Sequence, residues 1–240
     1  MAIEAFCKTD RGLRRDSNQD SYLINPDLSL FVVADGMGGH SGGEVASSIA
    51  VESVEGVISS PPMPNLSPRD LMTHAYAEAS RRIYDKAAYE KPELVGMGTT
   101  MAMAHVIRNS IYICNVGDSR CYLFRKPHLW QVTEDHSLVN EQLRAGLIDE
   151  NQALNFVGRN VITRSVGYER EVVVDILERP LTPGDIFLLC SDGLSGLVTD
   201  KEMAEILSNN TPEAATTICV EKALENGGTD NVTVLVVAIT

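Results

Sequence analysis

The spacing of apolar and polar positions changes along this chain, and each change marks a change of secondary structure. Residues 3–8 carry enough β-branched and aromatic side chains for a strand, residues 9–18 are polar, basic and turn-like, and strand character resumes at 20–24 and 28–34 around an Asn25-Pro26-Asp27 turn. The expectation is strand, loop, strand, turn, strand, with antiparallel pairing. Val45, Ile49, Val54 and Val57/Ile58 then recur near helical spacing, and a stretch over 59–68 with four prolines ends that helix. Ser67 before Pro68, with Asp70 in the first turn, starts a second helix that runs to about Tyr89 and shows Leu71, Ala75, Ala79 and Ile83 as its apolar stripe.

From Gly98 the period falls to two, or the apolar runs become continuous, giving strands at 99–107, 110–116, 119–124 and 129–132. Connections such as Arg108-Asn109 and Lys126-Pro127-His128 are too short for helical crossovers, so the pairing is antiparallel and a doubly wound parallel sheet is excluded. Two short helices are expected at 137–145 and 149–155, followed by an irregular, charged and mobile stretch at 156–171. Strands at 172–178 and 186–190 flank a Thr182-Pro183-Gly184-Asp185 turn, helices follow at 200–207 and 212–224, and a buried strand occupies 231–239. Roughly ten strands and four main helices, with the helices in pairs between hairpin runs, predict an α+β fold of two packed antiparallel sheets covered by helices. With no internal repeat or break in composition, residues 1–240 read as one domain.

Composition narrows the partners. Hydrophobic residues at 44% and charged residues at 22% are ordinary globular values. Thirty-three acidic against 20 basic residues give a net charge of −13, and no basic block is long enough to neutralise a nucleic-acid backbone. Cys7, Cys114, Cys121, Cys190 and Cys219 are odd in number and form no Cys-x-x-Cys pair, so they read as reduced core residues. With no charged-then-apolar leader and no uninterrupted apolar span of membrane length, the expected location is the cytoplasm, away from membranes.

The acidity has a second source beyond a solvated surface. Aspartates recur at the ends of apolar runs or beside glycine: Asp20 after Asn18-Gln19, Asp35 before Gly36, Asp118 after Gly117, Asp192 before Gly193, and Asp230 after Gly227-Gly228-Thr229. One such residue is an ordinary turn aspartate. Several brought together by the sheets would repel and raise one another's pKa unless cations sat between them. His40, His74, His105, His128 and His136 show no paired zinc spacing, so an oxygen-ligand site suits hard ions such as Mg²⁺ or Mn²⁺. A dinucleotide fingerprint is the competing explanation of the glycine-rich stretch after Asp35, because Gly36-x-Gly38 follows a strand and Glu55 lies about 20 residues on. It fails because Ser41 stands where the third glycine belongs, and because hairpin strands forbid the parallel sheet it needs.

These stretches resemble a known family. Arg15 with Asn18-Gln19-Asp20, Asp35-Gly36-Met37-Gly38-Gly39-His40, Gly98-Thr99-Thr100, Gly117-Asp118-Ser119-Arg120, Ser191-Asp192-Gly193-Leu194 and Gly228-Thr229-Asp230-Asn231-Val232-Thr233 are similar, in order, to the motifs of the metal-dependent serine/threonine protein phosphatases (PPM, type 2C), bacterial form. The resemblance implies a four-layer αββα sandwich, two antiparallel β-sheets packed face to face and flanked by helices, with two Mn²⁺ or Mg²⁺ ions at one end. It implies that Asp35 bridges both ions, that the Gly36 carbonyl binds the second, that Asp192 and Asp230 bind the first, and that Asp20 anchors metal-bound water. A third, weaker ion would take Asp118 together with Asp192. Arg15 would grip the substrate phosphate, and a metal-bridging water would attack phosphorus directly. His40 would be the general acid; many eukaryotic members carry that histidine directly after the Asp-Gly pair, where Met37 stands here. Asp135-His136 also matches a family motif and offers either a second acid or a structural hydrogen bond. Residues 145–171 would form a flap, with Asn160 and Arg164 available to touch a phosphopeptide. The implied partners are phosphorylated proteins, substrates of a serine/threonine kinase, acted on by a monomer. A catalytically weak phosphoprotein-binding scaffold on the same fold is the alternative, and the presence of Asp35, Asp192 and Asp230 argues against it.

Overall fold

Residues 1–39, 42–60 and 66–240 are described by a computed structural model; His40, Ser41 and the proline-rich positions 61–65 lie outside the described residues. The chain opens with β1 (Ile3–Asp10), β2 (Asp20–Asn25) and β3 (Leu30–Met37), followed by the long helices α1 (Gly42–Ser59) and α2 (Pro68–Asp85). The start of α2 follows from its sequence: the Ser67 hydroxyl accepts the Asp70 N–H, and Pro68 fills a first-turn position whose amide has no helical partner. Past Asp85 the helical path continues as a π-turn over Lys86–Glu90 and a 3₁₀ turn over Pro92–Leu94. The next strands are β4 (Gly98–Thr99), β5 (Met101–Ile107), β6 (Ser110–Val116), β7 (Arg120–Arg125) and β8 (His128–Gln131), then short helices α3 (Leu138–Arg144) and α4 (Glu150–Leu154). The remaining elements are β9 (Asp175–Pro180), β10 (Ile186–Cys190), α5 (Asp192–Ser195), α6 (Asp200–Asn209), α7 (Pro212–Glu225) and β11 (Val232–Ile239).

One sheet has the order β1-β11-β10-β7-β8 and the other β2-β3-β5-β6-β9, with β4 attached to β3. Every pairing is antiparallel, which removes the dinucleotide alternative along with its parallel sheet. Alternate residues of each central strand serve different layers. In β3, Leu30, Val32 and Ala34 pack under α1 and α2, whereas Phe31 and Val33 face the opposite sheet. In β11, Val232, Val234 and Val236 pack under α5, α6 and α7, whereas Leu235, Val237 and Ile239 face inward. A strand covered on both faces has no polar side to alternate with, and this is why these runs are continuously apolar. The layers are helix, sheet, sheet, helix, as expected.

The connectivity departs from the sequence expectation. β1 does not neighbour β2; it pairs with β11, Ile3 standing opposite Ile239. The short links after β6 and after β9 are not hairpins within a sheet either, because each carries the chain from one sheet to the other. Packed sheets lie about 10 Å apart and an extended residue spans about 3.3–3.6 Å, so the three residues 117–119 suffice for the crossing. Ile111 and Ile113 then meet Cys121 and Leu123 face to face across the sandwich rather than edge to edge. The strand expected over 99–107 breaks at Thr100, whose N–H donates to the Asp35 carbonyl at 2.9 Å. The stretch expected to be mobile, 156–171, is anchored: Val166 is fully buried and bridges Thr99, and the Gly167 N–H donates to Ser80 Oγ at 2.9 Å.

Tyr76 joins α2 to the sheet beneath it. Its fully buried hydroxyl lies 3.0 Å from the carbonyls of both Met101 and Cys114, with one proton to donate between them. The Tyr76→Phe substitution leaves these carbonyls one donor short and is expected to lower stability by about 1–2 kcal/mol, read as an earlier urea midpoint at unchanged m-value.

Candidate active site

Pairing of β2 with β3 sets Asp20 directly opposite Asp35. The end of β3 is held from several sides. The Asp35 N–H donates to Thr100 Oγ1 at 3.0 Å, the Asp35 carbonyl accepts from Thr99 Oγ1 at 2.9 Å, and the Gly36 N–H donates to the Gln19 carbonyl at 3.1 Å. Gly36 lies backbone to backbone against Gly43 at the start of α1; a Cβ on Gly36 would stand 2.0 Å from the Gly43 carbonyl oxygen. Only glycine allows the strand to pass so close under the helix.

The other sheet contributes its own strand ends. Asp192 opens α5 directly after β10, and Gly193 packs on the Asn231 carbonyl, where a Cβ would come within 2.0 Å. Asn231 is a structural hub: its Oδ1 accepts the Gln19 N–H at 2.8 Å, and its Nδ2 donates to the carbonyls of Arg11 and Ser17 at 2.8 and 2.9 Å. Asp20 ties the two sheets together, because its Oδ2 accepts from Ser191 Oγ at 2.8 Å and from Thr233 Oγ1 at 2.6 Å.

Between these ends opens a cleft of about 290 Å³ lined by Arg15, Asp35, Gly36, Asp118, Asn160, Asp192 and Asp230, among others. Asp20 stands behind it. Burial, reinforced by the surrounding aspartates, pushes Asp35 well above the usual carboxylate range. Burial likewise pushes Asp20 up to about 7, against the hydrogen bonds from Thr233 and Ser191, and pushes Asp118 up to about 7 with help from Asp192 and Asp135. Asp192 rises through burial and then through Asp230, with Asp35 and Arg15 offsetting part of the effect. Among the described residues lining this cleft Arg15 is the one cation, and it donates to Asp230 Oδ2 at 2.6 Å.

The donors fit hard divalent cations. Asp20 Oδ1 and Asp192 Oδ1 are buried without a hydrogen-bond partner among the described residues, and a buried carboxylate oxygen with no donor calls for positive charge. The available ligand atoms are all oxygen, as Mg²⁺ and Mn²⁺ prefer. Among the described residues no three acidic, His or Cys side chains already close a cage. Asp230 is turned to Arg15, and the Gly36 carbonyl and solvent would have to complete any coordination shell.

A supporting layer explains motif residues whose roles the sequence leaves open. His136 accepts the Gly117 N–H on Nδ1 at 3.1 Å, and its Nε2 lies 3.1 Å from Asp175 Oδ2. Both ring nitrogens of His136 are engaged, the arrangement a structural hydrogen-bonding role requires. Arg120 forks onto Asp135 at 2.7 and 3.0 Å, and Ser119 Oγ meets Thr100 Oγ1 at 2.6 Å, so the loop bearing Asp118 is pinned from both sides. Asn160 lines the cleft. Arg164 does not: it bonds Asp175 Oδ1 at 2.7 Å and the Val173 carbonyl at 3.2 Å. Asp175, Ser191 and the side chain of Asn231 were missed as functional positions. Asp175 has no neighbouring glycine to single it out, and the other two lay inside motifs read only for their aspartates.

Known proteins resemble this chain over nearly its whole length. Residues 12–226 match the pattern of the protein phosphatase 2C family. The chain is 39% identical to the serine/threonine phosphatase stp of Listeria monocytogenes, over 98% of this chain and 95% of that protein. The crystal structure of the serine/threonine phosphatase PstP/Ppp of Mycobacterium tuberculosis superposes with a TM-score of 0.91 at 34% identity, covering 100% of this chain and 99% of that one. The catalytic domain of PstP in complex with two manganese ions superposes at 0.88 with 33% identity, over 99% of each chain. Aspartates converging from the ends of two packed sheets, one arginine among them and a family match across nearly the whole length lead to one conclusion: the chain belongs to the protein phosphatase 2C family.

Proposed function

We propose that this chain is a serine/threonine phosphoprotein phosphatase that hydrolyses phosphoserine and phosphothreonine with divalent cations held in the carboxylate cleft. The observation that carries this is the gathering of Asp35, Asp118, Asp192 and Asp230 around one cleft together with the guanidinium of Arg15. Phosphatase relatives at 39% identity and a relative containing two manganese ions support the same chemistry. Asp35, Asp192, Asp230 and the Gly36 carbonyl would hold two Mn²⁺ or Mg²⁺ ions, and Asp118 with Asp192 a weaker third. Bound there, such cations offset the carboxylate charge, acidify water and withdraw electron density from a phosphoryl group.

The chain's own groups supply the rest. Asp20, clamped by Ser191 and Thr233, offers its unpartnered Oδ1 as an acceptor that orients solvent behind the cleft. Arg15 is more than half exposed and spends one of its donors on Asp230, so its guanidinium fork remains suited to two phosphate oxygens. The departing serine or threonine alkoxide needs a proton, for which His40 is the candidate. Asn160 touches the substrate from residues 145–171, the flap of this one domain, and Arg164 holds that flap to Asp175. No helix among the described residues is long and apolar enough to cross a membrane, and phosphoproteins of the cytoplasm, modified by a serine/threonine kinase, are the proposed substrates of this monomer.

With Mn²⁺ present, the chain is expected to hydrolyse p-nitrophenyl phosphate and phosphothreonine peptides, and chelation should abolish both reactions. Asp192→Asn is expected to lower kcat/KM at least about a hundredfold; full activity in that variant or in chelator would sink the metal-dependent account. For Arg15→Ala the expected loss is about ten- to a hundredfold in kcat/KM, with cation affinity, measured by calorimetry, largely kept.

Stability of the cation-free protein gives an independent readout. Asp20 and Asp118 hold protons up to about pH 7 in the native state, whereas in the unfolded chain an aspartate loses its proton near 4. A raised native pKa contributes stability fully below the unfolded value and loses it as pH rises through the native one. In chelator, therefore, Tm is expected to fall between about pH 4 and pH 7, and added Mn²⁺ should abolish that fall. A Tm in chelator that climbs across this window would contradict it.

A further inference from the structure

Alongside the cleft runs a larger groove of about 600 Å³. Met37 and Ile162 line both, so the two spaces share a wall. The groove is formed by residues 162–173 and carries unusual exposed apolar surface, with Tyr168 at 62% and Val173 at 71% exposure. It is preformed rather than loose. Val166 is buried beneath it, and Ser80 of α2 accepts the Gly167 N–H while donating to the Glu169 carbonyl at 2.8 Å.

Its charge is one-sided. Arg164 is neutralised by Asp175 at 2.7 Å, and Arg170, between the two groove glutamates in sequence, turns away to Asp85 of α2 at 3.0 Å. Glu169 and Glu171 line the groove with no ion-pair partner among the described residues. Arg164 also lines the groove, but its charge is matched by Asp175 just outside, so the unpaired charge the groove presents comes from the two glutamates.

We propose that this groove receives the protein segment adjoining the phosphoresidue, and that Glu169 and Glu171 select substrates with a lysine or arginine beside the phosphorylated position. The proposal rests on the phosphatase reading above. A phosphoresidue seated in the cleft has to lead its chain out past Met37 or Ile162, and the groove continues from them. A long basic side chain lays its aliphatic stem on Tyr168 and Val173 and brings its charge to the glutamates. Such a residue also offsets the repulsion between a phosphate dianion and an enzyme of net charge −13.

The test uses the whole chain with Mn²⁺ and three phosphothreonine peptides that differ only in carrying arginine, alanine or glutamate at the positions flanking the phosphoresidue. The wild-type protein is expected to favour the arginine peptide over the alanine peptide by about five- to tenfold in kcat/KM, expressed mainly in KM and reduced at high salt. The double variant Glu169→Gln/Glu171→Gln should bring that ratio near unity, and Glu169→Lys/Glu171→Lys should turn the preference to the glutamate peptide. Equal use of the three peptides by the wild-type protein, or a preference that survives both double variants, overturns the proposal. Hydrolysis of p-nitrophenyl phosphate alongside that result leaves the phosphatase reading standing, whereas no hydrolysis of any substrate removes both.

Discussion

Mutual repulsion among buried carboxylates is the constraint around which this molecule is built. Asp20, Asp35, Asp118 and Asp192 are all driven up in pKa by burial and by neighbouring aspartates. A chain gathers such groups only where backbone and packing hold them against that tendency. The site accordingly sits where two sheets end, with Asp35, Asp192 and Asp230 at the ends of β3, β10 and β11, strands that are themselves buried on both faces. Hydroxyls and amides, not cationic side chains, do most of the holding: Thr99, Thr100, Ser191 and Thr233 all hydrogen-bond to Asp20 or to the backbone of Asp35. Neutral donors can position a carboxylate without cancelling its charge, which leaves that charge available to a cation.

The same arrangement separates chemistry from recognition. The carboxylates belong to strand ends whose neighbours are locked by close backbone packing at Gly36 and Gly193. The surfaces beside them come from residues 155–174, which have little regular structure yet are fastened to the core through Val166 and Ser80. A framework so constrained tolerates little variation, whereas exposed side chains on an anchored loop can change freely.

Much of this was legible in the chain alone. The boundaries of β6 and β10 coincide with the apolar runs that predict them, since a strand buried on both faces has sharp polar limits. The aspartates were visible because each stands at one end of such a run or beside glycine. What escaped was whatever depends on long-range partners. Apolar period cannot tell a hairpin from a link that jumps between packed sheets, so the crossing at 117–119 was invisible although it carries Asp118 into the cleft. Asp175 and Arg164 look like any exposed pair in sequence, and their joint tie to His136 exists only after β9 has paired with β6.

The placement of β11 has a consequence for how the molecule comes into being. This strand, the last element of the chain, lies in the interior of its sheet between β1 and β10, and Asp230 and Asn231 stand at its head. Until it docks, β1 has no partner in its sheet, β10 lacks one neighbour, and Asn231 cannot gather the segment from Arg11 to Gln19. The site therefore depends on a pairing between residues separated by nearly the whole sequence, an entropically demanding closure. A nascent or truncated chain would carry most of the acidic residues with none of their geometry, and two open strand edges besides. Docking of β11 and assembly of the reactive centre are thus a single event.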